Sequence, residues 1–299
     1  MTLPPLDVPG LLRQAGLNPK KKLGQNFLMD SAALQRVVAA GDVASQDEVL
    51  EIGAGLGSLT RHLSQAARQV VAVELDLQLV PILQQVLAGL TNVQIVPGDV
   101  LELDPAQLIS SDQYLVVANI PYYITSAIIR HLLAAPKRPR RLVLTIQREV
   151  AERICARPGD LSLLALSVQV YGSPRIAARI PAGAFYPAPD VDSSVLRVDL
   201  YSEPQIPPDQ LAAFFTLARM GFSQKRKTLR NTLAAGLGCK GEVAAEMLHA
   251  AGIDPQRRAE TLNLDEWRQL TRTIGPQLAQ PVQPARPKRP HKPVAPHPS

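Results

Sequence analysis

Short apolar runs alternate with helical patterns along the first half of the chain. The runs that predict strands are DEVLEI (47–52), QVVAVEL (69–75), NVQIVP (92–97), YLVVAN (114–119) and RLVLTI (141–146). Continuous β-branched runs of this length suit strands that are buried on both faces. Between them, apolar residues recur at helical spacing, as at Leu59 and Leu63. This alternation predicts an α/β fold with a doubly wound, mainly parallel sheet.

The pattern changes near residue 204. After SEPQIPPD, four segments read as helices with Gly or Pro at their breaks: DQLAAFFTLARMGF, KTLRNTLAAGL, GEVAAEMLHAAG and LDEWRQLTRTI. We therefore divide the chain into four parts, which are an N-terminal extension (1–19), an α/β domain (20–203), a small α-helical C-terminal domain (204–275) and a proline-rich basic tail (276–299). In the tail, proline recurs at every third position from 281 to 296, which matches the polyproline II repeat and forms no core. We expect a disordered tail that is either solvated and neutral or a weak RNA tether.

Composition and charge narrow the class of protein. Hydrophobic residues make up 46% of the 299 residues, which is enough for a substantial core. The two cysteines have no metal or redox spacing, and no leader-like or 18-residue apolar segment occurs, so we expect a soluble cytoplasmic protein. The net charge is +6, but the tail from Pro276 onward holds four basic residues and no acid, which leaves the body at +2. The net charge is therefore weak evidence of nucleic-acid binding, and such binding has to be argued from local clusters of basic residues.

A glycine-rich turn follows the first predicted strand. In LEIGAGLGSLT the glycines are at 53, 55 and 57, whereas a dinucleotide fingerprint would place its third glycine where Ser58 stands. An ordinary tight turn would also explain this stretch. Glu74 ends the second predicted strand, where a carboxylate can accept both ribose hydroxyls, and Asp99 follows the third strand within reach of an adenine edge. Together these polar strand ends predict a cofactor that contains adenosine.

NIPYYITS (119–126) ends the fourth predicted strand with an amide, a proline and two tyrosines. The Asn119 amide oxygen and the Ile120 carbonyl can accept two hydrogen bonds from an amino group. Pro121 restricts Ile120 to non-helical geometry, which fixes the direction of that carbonyl. A neighbouring tyrosine provides a flat face for a base. We interpret the motif as a binding site for the exocyclic amine of an adenine.

These motifs resemble a known family. NIPY matches the [N/D/S]-x-P-[Y/F] motif of adenine-N6 methyltransferases, and EIGAGLG, VELD and GD match the S-adenosylmethionine motifs of the same class. KKLGQNFL, which ends at Leu28, NIPYYITSAII and FYPAPDVDSSV (185–195) together resemble the KsgA/RsmA/Dim1 family of small-subunit ribosomal RNA adenine N6,N6-dimethyltransferases. The resemblance covers residues 15 to 270. It implies a Rossmann-like methyltransferase domain with a small helical C-terminal domain, and S-adenosylmethionine as the methyl donor without a metal.

The resemblance also implies roles for individual residues. The expected cofactor contacts are Asn26, Leu28, Gly53, Glu74, Asp99 and Asn119, with Leu28 acting through its backbone. The residues expected at the target base are Asn119, Ile120, Pro121, Tyr122 and Phe185. Tyr122 would stack on the flipped adenine and Phe185 would close its other face, although Phe185 could also be a packed loop aromatic. We expect a structural role for Tyr123.

The function implied is dimethylation of N6 of two adjacent adenosines near the 3′ end of 16S ribosomal RNA, with a role in 30S subunit biogenesis. The partner would be 16S RNA or an immature 30S subunit, and the enzyme a monomer without membrane contact. Three basic clusters could follow RNA phosphates or form solvated helix faces: Lys20 to Lys22, Lys137 to Arg141, and SQKRKTLR (223–230). The alternatives are an erythromycin-resistance type methyltransferase of large-subunit RNA and a non-catalytic ribosome-assembly factor on the same scaffold.

Overall fold

The computed structural model describes residues 3–278 of the chain, so the predicted tail lies almost entirely outside the described residues. Within that range the strands are β1 Phe27–Leu28, β2 Glu48–Ile52, β3 Gln69–Glu74, β4 Val93–Pro97, β5 Leu115–Asn119, β6 Arg141–Gln147, β7 Gly172–Ile180, β8 Phe185–Tyr186 and β9 Ser193–Leu200. Strands β2 to β6 coincide with the five apolar runs. The α/β prediction is therefore confirmed.

The helices of the same range alternate with these strands and then continue without them. They are α1 Val8–Gln14, α2 Ser31–Gly41, α3 Ser58–Ala66, α4 Val80–Val86, α5 Pro105–Leu108, α6 Thr125–Ala134, α7 Arg148–Ile154, α8 Leu163–Gln169, α9 Leu211–Gly221, α10 Leu229–Leu237, α11 Gly241–Ala250 and α12 Leu264–Leu278. Asp30 caps α2, since its carboxylate accepts from the Ala33 N–H at 2.7 Å. Helix α12 runs through Pro276, three residues beyond the predicted end of the helical domain. No helix in the described part of the chain is long and apolar enough to cross a bilayer.

Seven strands form one sheet in the order β4-β3-β2-β5-β6-β9-β7. Strands β2 to β6 pair in parallel, so their carboxyl ends meet at one edge of the sheet. Strand β9 pairs antiparallel with both β6 and β7, and these last two strands were missed from the sequence. The order reverses between β2 and β5. A crevice at that point is where open α/β sheets bind ligands.

Apolar side chains cover both faces of the sheet. One cluster extends from β2 and β5 through α6 and α8 into the C-terminal helices, where Phe214 and Trp267 are fully buried. The hydrophobic core is therefore continuous across the predicted boundary at residue 204, and the division of the chain at that residue stays a prediction. A smaller cluster joins α1, through Val8 and Leu12, to Phe27, Leu56 and α4. Helix α1 lies in the part assigned as an extension and was not predicted.

A separate two-stranded ladder joins two motifs that are far apart in sequence. Phe27 pairs with Tyr186 and Leu28 with Phe185 in an antiparallel arrangement. The Met29 N–H continues the connection by donating to the Ala184 carbonyl at 3.0 Å. The ladder therefore holds the QNFL segment against the start of FYPAPDVDSSV, beside the carboxyl edge of the sheet.

Candidate active site

A cleft lies at the carboxyl edge of β2, β3, β4 and β5, with about 790 Å³ of empty space including its open mouth. The predicted residues that line it are Asn26, Gly53, Glu74, Asp99, Asn119, Ile120, Pro121 and Tyr122. They come from five separate segments of the chain. Four of the five end or follow a parallel strand and Asn26 directly precedes β1, so the parallel topology and the ladder assemble them at one place.

The glycine-rich turn forms the floor of the cleft. Gly53 has a φ of 74° and Gly55 a φ of 61°, a left-handed conformation that other residues adopt at a cost. A Cβ atom on Gly55 would also come within 3.0 Å of the Phe27 ring. The turn therefore needs glycine at position 55 both for its backbone and for the close approach of Phe27.

Glu74 stands at the end of β3 and is only 6% exposed. Its two carboxylate oxygens accept from the backbone N–H groups of Gly55 and Asp76, each at 2.7 Å. Burial raises the pKa of Glu74 against the opposing effect of these hydrogen bonds. Each oxygen can still accept a second hydrogen bond, so the side chain fits the paired hydroxyls of a ribose.

Asp99 is the second acid of the cleft and follows β4. One of its oxygens accepts from the Leu101 N–H at 2.9 Å. The preceding Gly98 lines the cleft and donates its N–H to the Glu74 carbonyl at 2.9 Å, which ties the two acidic strand ends together. A pair of acids and a glycine turn with open backbone suit an adenosine-containing molecule that carries a positive charge, as S-adenosylmethionine does at its sulfur.

Residues Lys20–Leu28 form a strap along the mouth of the cleft, and Asp76 holds it in place. The Asp76 carboxylate, 6% exposed, accepts from Lys20 Nζ and from Gln25 Nε2, each at 2.8 Å. Burial acts to raise the pKa of Asp76, but the hydrogen bonds from Lys20 and Gln25 outweigh it and lower that pKa. Asp76 also donates its backbone N–H to the Glu74 carboxylate. The strap and Glu74, the acid that fits a ribose, therefore belong to one hydrogen-bonded network.

Asn119 connects the strap to the NIPY motif. Its Nδ2 donates to the Asn26 carbonyl at 3.0 Å, and this bond orients the amide. The Oδ1 atom accepts no hydrogen bond from a described residue, so it is available as an acceptor in the cleft. The Asn119 backbone carbonyl lies 3.6 Å from where a Cβ on Gly53 would be, which places the motif directly beside the glycine turn.

The structure does not bring Phe185 or the Leu28 side chain to the cleft. Phe185 is 2% exposed and Leu28 is 3% exposed, and both pack in the cluster formed by α2, α3 and β9. A ring this buried cannot stack on a base without leaving its cluster, so the reading of Phe185 as a packed loop aromatic agrees better with the structure. The predicted backbone contact of Leu28 with the cofactor stays a prediction.

Tyr123 is the opposite case. It was expected to be structural, yet it is 59% exposed at the edge of the cleft, where its ring faces Gly24 of the strap. Sequence reasoning also missed the strap contacts of Lys20 and Gln25 and the hydrogen bond between Tyr122 Oη and Ser193 Oγ at 2.7 Å. No local pattern could have found these pairs, because their members are 51 to 71 residues apart.

Comparison with known proteins agrees with this geometry. The family described as ribosomal RNA adenine dimethylase matches residues 16–275. A Dehalococcoides mccartyi protein named ribosomal RNA small subunit methyltransferase A is 44% identical over 255 residues, which are 85% of this chain and 88% of that protein. A dimethyladenosine transferase from Plasmodium falciparum, 22% identical, has the same fold with a TM-score of 0.73 over 84% of this chain and 98% of its own.

A second solved structure is the 23S rRNA methyltransferase ErmE, which is 26% identical with a TM-score of 0.67, over 84% of this chain and all of its own. The fold and the cleft thus define a Rossmann-like methyltransferase. The chain belongs to the ribosomal RNA adenine dimethylase family, because the family match covers most of its length. The resemblance stated from the motifs is confirmed.

Proposed function

We propose that this protein transfers methyl groups from S-adenosylmethionine to N6 of two adjacent adenosines near the 3′ end of 16S ribosomal RNA. The observation that carries the proposal is the orientation of Asn119. Its amide nitrogen is engaged by the Asn26 carbonyl, so its oxygen remains to accept a hydrogen bond from an amine in the cleft. The D. mccartyi protein, 44% identical, carries the matching name. We further propose that the enzyme is a cytoplasmic monomer that acts during 30S subunit biogenesis.

The residues of the cleft would divide the work between cofactor and base. S-adenosylmethionine supplies a methyl group on a positively charged sulfur. Glu74 would hold the ribose hydroxyls and Asp99 the adenine amine, while Gly53 allows the methionine portion to approach the backbone. The negative charges of Glu74 and Asp99 complement the positive charge on the sulfur of the cofactor.

Asn119 Oδ1 and the Ile120 carbonyl would accept the two N–H groups of the target amine. An adenine amine is a poor nucleophile because its lone pair is delocalised into the ring. Two acceptors that draw the amine toward tetrahedral geometry make that lone pair available, and they need no rearrangement during the reaction. Tyr122 would hold the base by stacking. Because no strong base lies in the motif, the proton would leave to water after transfer.

Only some of the predicted basic clusters are available to bind RNA. Lys137, Arg140 and Arg141 lie at the amino edge of the sheet and pair with Asp112, Asp47 and Asp199. Arg138 lies over the Tyr171 ring at 5.6 Å. The basic side chains of this predicted cluster therefore contact groups of the protein itself, and we do not assign the cluster to RNA binding.

The basic groups of the other two predicted clusters are better placed, although Lys20 is paired with Asp76. Lys21 and Lys22 are exposed on the strap, next to the mouth of the cleft, and the 223–227 loop between α9 and α10 is exposed throughout. A groove lined by Arg130, Arg153 and Arg219 lies alongside helix α6, which begins just after the NIPY motif. Apart from Lys20, none of these cations forms an ion pair with a described acid. We propose that this face binds RNA phosphates. RNA binding should therefore weaken steeply as the salt concentration rises.

The testing experiment is methyl transfer from labelled S-adenosylmethionine to unmethylated small subunits and, separately, to large-subunit RNA. Digested RNA is then examined for N6,N6-dimethyladenosine. The expected result is label as dimethyladenosine in the small subunit. In Asn119→Ala the label should be nearly abolished, while the cofactor still binds with most of its affinity. Label only in large-subunit RNA would assign the protein to the activity named for ErmE. Cofactor binding without transfer to mature or immature particles would favour the assembly factor.

A further inference from the structure

Tyr122 and Ser193 join the two motifs that surround the proposed base site. Tyr122 Oη and Ser193 Oγ are 2.7 Å apart, although the residues are 71 positions apart in sequence. Tyr122 lines the cleft, in a single 3-10 turn that follows Pro121. Ser193 is fully buried and does not line the cleft. Ser193 therefore touches the reaction site only through Tyr122.

The position of Ser193 is fixed independently of the cleft. It begins β9, where it pairs with Gln147 of β6 and with Ile180 of β7. A residue held by ladders on both sides cannot shift without disturbing the sheet. The hydroxyl of Ser193 is thus a rigid anchor point.

The anchor constrains the Tyr122 ring at its far end. The 3-10 turn fixes the Cβ atom and Ser193 fixes the hydroxyl oxygen, so the long axis of the ring has both ends held. The ring can still rotate about that axis, but it cannot swing away from the cleft without breaking the hydrogen bond. Burial raises the pKa of Tyr122 against the effect of the Ser193 hydrogen bond, so the phenol stays neutral at physiological pH.

We propose that Ser193 is a positioning residue for methyl transfer, which keeps the Tyr122 ring in the cleft, where it stacks on the target adenine. The inference rests on the proposed function and explains why a serine ends the F-x-P-x-P-x-V-x-S stretch from Phe185. A ring that cannot swing out of the cleft loses less freedom when the base arrives, so the anchor strengthens base binding. It leaves the cofactor contacts untouched.

The chain offers a matched control in the next residue. Ser194 is also fully buried on β9, and its hydroxyl has no hydrogen-bond partner among the described residues. Ser193→Ala and Ser194→Ala therefore remove the same atom from neighbouring buried sites. Only the first removes a contact with Tyr122.

The experiment measures KM for unmethylated small subunits, kcat, and the dissociation constant for S-adenosylmethionine. Loss of one neutral hydrogen bond should raise KM for RNA about three- to tenfold in Ser193→Ala. Tyr122→Phe, which keeps the ring and removes the hydroxyl, should show the same rise, and the double variant should show no further rise. Cofactor affinity should be unchanged in all of them, Ser193→Thr should recover the wild-type KM, and Ser194→Ala should match wild type.

Two results would overturn the inference. One is a wild-type KM in Tyr122→Phe and Ser193→Ala. The other is an additive rise in the double variant, which would show that the serine acts by a route other than the tyrosine. Tyr122→Phe changes no buried strand residue, so it keeps the test informative if Ser193→Ala folds poorly. Failure of the proposed function looks different, because wild-type protein would then transfer no methyl group to small subunits.

Discussion

Glu48 and Glu51 lie on the same strand, β2, and are 2% and 1% exposed, yet the net shifts of their pKa values have opposite signs. Burial acts to raise the pKa of Glu48, but hydrogen bonds from Ser110 and Ser111 at 2.7–3.1 Å and the nearby Arg68 outweigh it and lower that pKa. Glu51 has one oxygen without any partner among the described residues. Burial, with the charge of Glu74 nearby, raises the pKa of Glu51 to about 8 despite the proximity of Thr60.

The pKa of Glu51 makes the stability of the native state depend on pH. Between the ordinary value of 4.5 and about 8, the native state holds a proton that the unfolded state has lost, so stability falls as pH rises. Each pH unit in that window costs about 1.4 kcal/mol, and the loss approaches about 4 kcal/mol by pH 8. Glu51→Gln keeps the shape and cannot ionise. We expect its free energy of unfolding to fall less steeply with pH than that of wild type over that window, because the slope that remains comes from other groups such as Glu74.

The assay is urea unfolding of the cofactor-free protein at pH 5, 6, 7 and 8. The gap between Glu51→Gln and wild type should widen steadily as pH rises. Glu48→Gln is the matched control, because the lowered pKa of Glu48 keeps it ionised in both states over this range. It should be destabilised by a constant amount. A constant gap for Glu51→Gln as well would refute the reasoning and show that Glu51 is already ionised in the fold.

Two further predictions concern the cofactor cleft. Glu74→Gln should weaken S-adenosylmethionine binding about 10- to 100-fold in calorimetry, as expected for a lost charge-assisted hydrogen bond. Because burial raises the pKa of Glu74, wild-type affinity should fall on acidification at a pH above the usual range of a glutamate, while the Gln variant stays flat; equal pH profiles would exclude the role. Asp76→Ala should release the strap, with roughly three- to tenfold weaker cofactor binding and faster tryptic cleavage near Lys20 to Lys22. Asp112→Ala, which removes an exposed acid away from the strap and keeps every tryptic site, serves as the control. Protease resistance of Asp76→Ala equal to wild type would show that the strap is held by other contacts.

The sequence by itself determined the parallel half of the sheet. Strands β2, β3, β5 and β6 are nearly fully buried, so each had to be an apolar run that can be read without knowledge of its neighbours. The motifs at their carboxyl ends also came from the sequence, since a parallel topology places those ends together. Strands β7 and β9 escaped detection because charged residues interrupt their apolar runs, as Arg197 and Asp199 do in β9. In β7, GSPRIAARI also has exposed positions, and its register shifts between Ile176 and Ala178.

Tertiary structure alone decided how the motif side chains are oriented and held. Phe185 has the residue type of a stacking partner, but its pairing with Leu28 turns it into the core. Tyr123 follows Tyr122 directly, yet one ring is anchored by Ser193 and the other is exposed. The position of Asp76 directly after β3 is typical of a helix-capping acid, and it does accept from the Gln78 N–H at 3.2 Å, but its carboxylate also attaches the strap. In each case the deciding contact joins residues more than 50 positions apart, and a local pattern holds no information about such a contact until the chain has folded.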